Sequence, residues 1–332
     1  MQIVLHAGMH KTGTTSFQHW LRANEAEFRA RGIATFPLDR RVLAFAPKLF
    51  DPEGLREELA NAEQNGAHTA LFSHETLCQV YPRGLARLLE VFEGHPARFV
   101  LTLRHWSSYL PSRWMQNSKR RDAQSFNSYL ARLIEEPEGK LDAQLWLPLK
   151  RAKEAGFKDL CLVPYNRAPN IMLRKLARAC SCPEPSDDDT AVANRSTDTS
   201  KADRTRMFNG LAALMRDEDL NPMARGRSCI FYDLTNLANK FIDANPTESA
   251  KLDQFLYSTA DHVPNSYPIF DIWYEELISH VENLAIPVDW SAFTALEDNG
   301  LFASTAEFSE LPASTAQAMK EHLQKSDLFT AR

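Results

Sequence analysis

The residues most suited to chemistry lie near the start of the chain, in a short turn bounded by Gly8 and Gly13. The turn contains Lys11, and residues 14–16 that follow all carry hydroxyl groups. A glycine turn leading into a helix presents backbone N–H groups that bind phosphate-like anions. In ATP- and GTP-binding loops the lysine directly follows the second glycine, whereas here Thr14 occupies that position. This spacing predicts an anion site with a different leaving group.

A basic segment runs from residue 97 to residue 121, with six lysines and arginines and no acidic residue, although the chain carries a net charge of −5. It opens with a predicted buried strand that ends on Arg104, and Ser112 follows eight residues later, near the start of a helix predicted from Pro111 to Asn117. A guanidinium fork suits a phosphate dianion, and a hydroxyl near a helix start adds a further donor. A solvated basic helix face is the alternative interpretation.

A third group of polar residues, Ser73-His74-Glu75, follows the predicted strand Thr69–Phe72. In a parallel sheet, ligands bind beyond the carboxyl ends of the strands. His74 and Glu75 are therefore candidates for a general base that takes a proton from a bound hydroxyl or amine. Capping of the next helix by Ser73 and Glu75 is the other interpretation.

These three groups need a scaffold, and the apolar pattern supplies one. Buried-strand patterns alternate with helical periodicity, which predicts an α/β fold with a parallel sheet flanked by helices. The predicted strands lie at residues 2–7, 33–36, 69–73, 98–104 and 159–164. Helical patterns dominate residues 200–332, where apolar rows around Met207, Leu234 and Trp273 are expected to form core.

The loop resembles the 5′-phosphosulfate-binding loop of sulfotransferases that use 3′-phosphoadenosine 5′-phosphosulfate (PAPS), and the chain resembles their bacterial, cytosolic type. The resemblance implies the P-loop-like sulfotransferase fold, with PAPS as co-substrate and 3′-phosphoadenosine 5′-phosphate (PAP) as product. In that family the loop lysine, here Lys11, is catalytic and helps the 5′-phosphate leave. The implied cofactor-binding residues of the loop are His10, Lys11, Thr12, Gly13, Thr14, Thr15 and Ser16.

The resemblance also assigns roles outside the loop. Arg104 and Ser112 match the arginine and serine that hold the cofactor's 3′-phosphate. Arg195, in the Asn-x-Ser stretch at 194–196, is a further cofactor contact in a loop at 183–205 that closes over the nucleotide; a solvated surface loop is the alternative interpretation. Glu75 is the favoured catalytic base because Ser-x-Glu at this strand end is similar to bacterial members, and His74 is the second catalytic candidate.

The resemblance covers about the first 200 residues and predicts two regions. Residues 1–199 form the PAPS-binding α/β core, and residues 200–332 form a mainly helical region that packs on it and shapes the acceptor pocket. The acceptor is a small molecule or a carbohydrate. Sulfuryl transfer needs no metal, and the sequence contains neither HExxH nor paired CxxC motifs, so no metal site is predicted.

Composition places the chain among soluble globular proteins, with 44% hydrophobic and 24% charged residues. No apolar run approaches the ~20 residues that a membrane span needs, and the N-terminal residues lack a charged leader, so a cytoplasmic protein without membrane partners is expected. Five scattered cysteines are consistent with reduced thiols. A pI of about 6.1 argues against nucleic acid as a partner.

Two other function classes remain open from the sequence. A P-loop kinase or NTPase with a displaced lysine would require Mg²⁺, but the strand that ends at Arg104 lacks the acidic residue that usually holds this ion. A non-catalytic nucleotide-binding protein of the same fold would bind PAP without turning over any acceptor.

Overall fold

The computed structural model describes residues 1–9, 12–37, 39, 50–120, 122–186, 199–217, 229–263, 267–293 and 302–326. Their main sheet has five strands, all parallel, in the order β2-β3-β1-β4-β5. These strands are β1 (Gln2–Gly8), β2 (Ile33–Pro37), β3 (Thr69–Ser73), β4 (Ala97–Leu103) and β5 (Asp159–Pro164). A second, antiparallel sheet pairs β6 (Ala260–His262) with β7 (Phe302–Ser304).

Helices connect the strands and fill the second half of the chain. In the first half they are α1 (Thr14–Ala23), α2 (Glu25–Ala30), α3 (Pro52–Gln64), α4 (Pro82–Val91), α5 (Trp106–Arg120), α6 (Phe126–Glu135), α7 (Leu147–Ala155) and α8 (Pro169–Ala179). The second half contains α9 (Thr199–Asp217), α10 (Cys229–Ala244), α11 (Pro246–Ser258), α12 (Pro268–Asn283) and α13 (Ala313–Gln324).

The central strand β1 is buried along nearly its whole length, because it lies between β3 and β4 and both faces of the sheet are covered. Alternate side chains point to opposite faces. On one face, Val4 joins a core cluster with Phe17 of α1 and Leu173 of α8. On the other face, Phe99 of β4 packs edge-on against Phe157. Helices on both faces explain why the strands read as continuous apolar runs.

The chain forms two compact units. The first contains the five-stranded sheet and consists of Met1–Tyr109, Pro137–Arg195 and Tyr267–Ala295. The second consists of Leu110–Glu136, Ser196–Ser266 and Leu296–Arg332. Helix α5 contributes residues to both units, and α12 belongs to the first.

The second unit has its own apolar core, built from α9, α10, α11 and α13. A buried ion pair joins Arg206 to Asp203, with 2.7 Å between Nε and Oδ1. The same guanidinium donates to the carbonyl oxygens of Ser304 and Ala306, so the buried charge is fully paired and ties α9 to the chain around β7.

The structure confirms the α/β class and all five predicted strands to within about a residue at each end. Helix α5 differs from its prediction, because it begins at Trp106 rather than Pro111. The cause is a cap at His105, whose carbonyl accepts the backbone N–H of Tyr109 and lets the helix start before the proline. The β6–β7 pair, with three residues in each strand, was not predicted.

Candidate functional site

The loop between β1 and α1 is closely packed at its first glycine. A Cβ atom at Gly8 would lie 1.8 Å from Oγ1 of Thr14 and 3.1 Å from Oγ1 of Thr12. No side chain fits at that distance, so glycine at position 8 is required for the Thr14 hydroxyl to lie over the end of the central strand. The backbone N–H of Met9 donates to the carbonyl of Thr102, which holds the loop entry against β4.

The second glycine sets the direction of α1. Gly13 has a φ of 83°, a left-handed conformation that other residues adopt at a cost. It is the N-cap residue of α1, and its carbonyl accepts the first intrahelical hydrogen bond from Phe17. The Thr12 hydroxyl donates to the carbonyl of Met9 at 2.5 Å, so this side chain closes the turn.

The Thr14 hydroxyl is a buried polar group at the start of α1. The residue is 5% exposed, and its Oγ1 has no hydrogen-bond partner among the described residues. Among the residues that the structure describes, no side chain caps the N-terminus of α1. A buried donor at a helix N-terminus is suited to an anionic oxygen, which would complete its hydrogen bonding. Thr15 is exposed and Ser16 is half-buried on the same first turn.

Below the loop, a buried histidine joins three strands. Nδ1 of His6 lies 2.9 Å from Oγ of Ser73 on β3, and Nε2 lies 3.1 Å from Oγ1 of Thr102 on β4. Burial lowers the pKa of His6 to about 3, so the ring is neutral at physiological pH. Gln18 of α1 donates to the carbonyl of Ser73 at 2.7 Å. This row of hydrogen bonds through His6 was not predicted from the sequence, although a histidine inside an apolar strand was an available signal.

At the end of β3, His74 caps the next turn. Its Nδ1 accepts the backbone N–H of Thr76 at 3.2 Å and lies 2.6 Å from the Thr76 hydroxyl. Because an N–H can only donate, Nδ1 carries the lone pair and a neutral His74 is protonated on Nε2. Glu75 is partly exposed in the first turn of the 3₁₀ helix Glu75–Gln79. The cap is therefore His74, whereas the alternative interpretation assigned it to Ser73 and Glu75; Glu75 lies in the first turn.

At the end of β4, Arg104 is held from two sides. Its Nε donates to Oγ of Ser108 at 2.7 Å, and its guanidinium carbon lies 5.1 Å from the centre of the Tyr165 ring. Burial lowers the pKa of Arg104; Tyr165 opposes this effect, and the charge of Arg167 adds to it. Ser108, one turn before Ser112 on α5, was not among the predicted site residues.

His105 caps α5 as His74 caps the turn after β3. Its Nδ1 accepts the backbone N–H of Ser107 at 3.2 Å and lies 2.8 Å from the Ser107 hydroxyl. The ring makes edge contacts with Trp106, Phe270 and Phe293, at centroid distances of 5.8, 6.2 and 5.4 Å. Burial lowers the pKa of His105 to about 4, and the charge of Asp271 only partly offsets it.

The loop and the Arg104 side chain both lie beside the ring of Tyr165. A Cβ atom on Gly13 would be 3.9 Å from Cε2 of Tyr165, the same ring that packs against Arg104. The connection after β1 leads to the edge strand β2, whereas the connection after β4 leads the other way to β5. A crevice at such a reversal is the usual ligand site of an open parallel sheet.

Several predicted site residues cannot be placed with this group. His10, Lys11 and Arg195 lie outside the described residues. Ser112 is half-buried on α5 and belongs to the second compact unit. Its pairing with Arg104 across a 3′-phosphate stays a prediction.

Among the described residues, no group of three or more histidines, cysteines, aspartates and glutamates is arranged to hold a metal ion. Cys161, Cys180 and Cys182 lie near one another, and burial raises the pKa of each thiol, to about 12 for Cys182. Such thiols are poor nucleophiles and metal ligands. Within the same described part of the chain, no helix combines the length and apolar character of a transmembrane segment.

No protein-family model matches the chain, and no curated protein matches its sequence. The chemistry open to this chain is set by the three strand ends and by the residues of the loop. They combine a buried hydroxyl at a helix N-terminus, an arginine aligned on an aromatic ring and a carboxylate on the opposite side of β1.

Proposed function

We propose that this chain is a PAPS-dependent sulfotransferase with a P-loop-like sulfotransferase fold, which transfers a sulfuryl group to a hydroxyl or amine acceptor. The observation that supports this most is the buried Thr14 hydroxyl, which has no partner among the described residues and lies at the N-terminus of α1. The anion that would satisfy it is the cofactor's 5′-phosphate. The residues 10–16 around it carry the family resemblance.

The two phosphates of the nucleotide bind to different groups of residues. The N–H groups of the first turn of α1 and the Thr14 hydroxyl bind the 5′-phosphate. Arg104 binds the 3′-phosphate, with its guanidinium oriented by Ser108 and Tyr165. Ser112 and Arg195 take the supporting contacts that the resemblance implies.

Sulfuryl transfer forms one S–O or S–N bond and breaks the bond from sulfur to the oxygen that bridges it to the 5′-phosphate. When bound, PAPS supplies the activated sulfuryl group. Lys11 stabilises the negative charge that grows on the bridging oxygen, an interaction that is stronger in the transition state than in the ground state. Glu75 takes the proton of the attacking hydroxyl or amine, and His74 holds the turn on which Glu75 lies.

Calorimetry with PAP in the presence of EDTA tests the binding site. We expect metal-independent binding that weakens when Thr14 is replaced by valine, because this change removes the hydroxyl and keeps the shape. Thr35 on β2 provides a matched control, since its Oγ1 is also buried without a partner among the described residues. Thr35→Val should leave PAP affinity unchanged. Loss of wild-type binding on chelation would contradict the proposed site.

Incubation with PAPS and a pooled acceptor library, read by mass spectrometry, tests the reaction itself. A mass gain of one sulfuryl group on any acceptor, with release of PAP, is the expected result. Turnover of ATP that depends on Mg²⁺ would instead identify a kinase or NTPase with a displaced lysine. PAP binding without turnover of any acceptor would identify a non-catalytic nucleotide-binding protein.

A further inference from the structure

Two arginines follow the ends of the adjacent strands β4 and β5. Leu103 and Pro164 are paired in register, and the backbone N–H of Tyr165 donates to the carbonyl of Leu103 at 2.7 Å. Arg104 comes directly after the first of these strand ends, and Arg167 comes three residues after the second. The strand register therefore brings two basic residues to the same edge of the sheet.

The two arginine side chains differ in exposure. Arg104 is partly buried over the ring of Tyr165, whereas Arg167 is exposed. Two hydrogen bonds hold the turn that carries Arg167. In the first, the backbone N–H of Asn166 donates to the sulfur of Met172 at 3.3 Å. The side-chain oxygen of Asn166 then accepts the N–H of Ala168 at 2.8 Å. The charge of Arg167 lowers the pKa of Arg104, so the two cations are close enough to repel each other.

Arg167 also lies at an unfavourable end of a helix. It immediately precedes Ala168, the N-cap residue of α8. The N-terminus of a helix carries partial positive charge and disfavours cations there. A bound phosphate dianion reverses both effects, since it attracts the two guanidinium groups and the helix N-terminus at once.

From this arrangement we infer that Arg167 is a second anchor for the cofactor's 3′-phosphate and that it selects 3′-phosphorylated nucleotides. The inference rests on the proposed function, because it takes Arg104 as the first anchor. Arg104 supplies an aligned, partly buried fork, and Arg167 closes over the exposed side of the phosphate. A nucleotide without a 3′-phosphate makes no contact with either arginine, and the repulsion between the two guanidinium groups then remains.

The test is calorimetry of PAP and of adenosine 5′-phosphate with the full chain. Arg167→Ala should weaken PAP by about 10-fold, the lower end of the range for a charged hydrogen bond. The same variant should leave adenosine 5′-phosphate unchanged. Arg178→Ala is the matched control, since Arg178 is an exposed arginine near the other end of α8 that pairs with Glu184. It should change neither affinity.

The outcomes separate the inference from the proposed function. If the wild-type chain binds PAP no more tightly than adenosine 5′-phosphate, the 3′-phosphate site and with it the proposed function are wrong. If the wild type discriminates and Arg167→Ala keeps the full discrimination, only the inference is overturned. Arg167→Lys, which keeps the charge but loses the planar fork, should retain part of the preference. Thermal melting of each variant establishes that it is folded.

Discussion

The ends of β3 and β4 lie on either side of β1 and use the same local structure for opposite charges. Each strand end is followed by a histidine whose Nδ1 accepts the backbone N–H of a hydroxyl residue two positions later, Thr76 in one case and Ser107 in the other. After His74 comes an acidic residue, Glu75, whereas a basic residue, Arg104, precedes His105.

The two strand ends share the capped turn and differ in the charge of the residue beside the histidine. A carboxylate on the β3 side can remove a proton, and a guanidinium on the β4 side can bind a phosphate. The two caps also differ in their surroundings, because His105 lies among aromatic rings that include Phe270 of α12. We therefore expect changes at the β3 end to affect the rate and changes at the β4 end to affect nucleotide affinity.

The largest effect is expected at Glu75. Glu75→Gln keeps the size of the side chain and removes its basicity, so the turnover rate should fall by ~10²–10⁴ while PAP affinity stays the same. Rates at saturating PAPS and calorimetry with PAP measure the two quantities separately. His74→Gln serves as the comparison: if it abolishes turnover while Glu75→Gln stays active, the histidine is the base. Activity in both variants would place the base elsewhere.

At the other strand end, Arg104→Ala should weaken PAP by about 10- to 100-fold, the equivalent of ~1.5–3 kcal/mol for a lost charge-assisted pair. Adenosine 5′-phosphosulfate lacks the 3′-phosphate and should lose little. The ratio of the two dissociation constants is the quantity to measure. Equal losses for both ligands would remove Arg104 from the 3′-phosphate site and break the division of roles between the strand ends.

Acid should destabilise the first unit through its buried histidines. Burial holds the pKa of His105 at about 4 and that of His6 at about 3, against an ordinary value of 6.5. Below pH 6.5 the unfolded chain therefore binds protons that the folded chain does not. The free energy of unfolding should fall as pH falls from 6.5 toward 4, by up to ~1.4 kcal/mol per pH unit for each histidine.

Urea unfolding at several pH values measures that slope. His105→Gln should reduce the slope of the unfolding free energy against pH by the contribution of one histidine. The slope that remains in the variant reports the rest of the first unit. A slope that is the same in wild type and variant would mean that His105 is already protonated or solvated in the folded protein.

The smallest effect is expected for the cap hydroxyls. Thr76→Val and Ser107→Ala each remove one hydrogen bond to a histidine Nδ1, at 2.6 and 2.8 Å in the native structure. Each should cost ~0.5–1.5 kcal/mol of stability, because the backbone N–H still caps the turn. If the two losses of stability are similar and only Thr76→Val also lowers the rate, the result supports a role in turnover for the β3 end alone.

The sequence predicts the sheet well because the features that form it are local. Buried parallel strands are apolar and bounded by polar turns, so their positions can be read directly. Gly8 and Gly13 likewise mark the loop. A histidine inside an apolar strand is the local signal for the hydrogen bonds of His6, but its partners Ser73 and Thr102 are distant in sequence and no local pattern identifies them.

The start of α5 was predicted wrongly because of one residue, Pro111. Proline is favoured in the first turn of a helix, so Pro111 predicted a start that the structure places five residues earlier, at Trp106. The His105 cap outweighs that preference. As a consequence Ser108, rather than a residue near Pro111, meets the Arg104 side chain.

The order of segments in the first compact unit has a consequence for synthesis on the ribosome. The unit includes residues up to Ala295, and α12 supplies Trp273, which packs against Trp106 at a centroid distance of 5.8 Å. The last strand of the sheet, β5, ends at Pro164 and α12 begins at Pro268, so the nascent chain completes all five strands about 100 residues before α12 emerges. During that interval His105 and Trp106 lack their contacts with Phe270 and Trp273, and exposed aromatic surface of this kind is what chaperones cover.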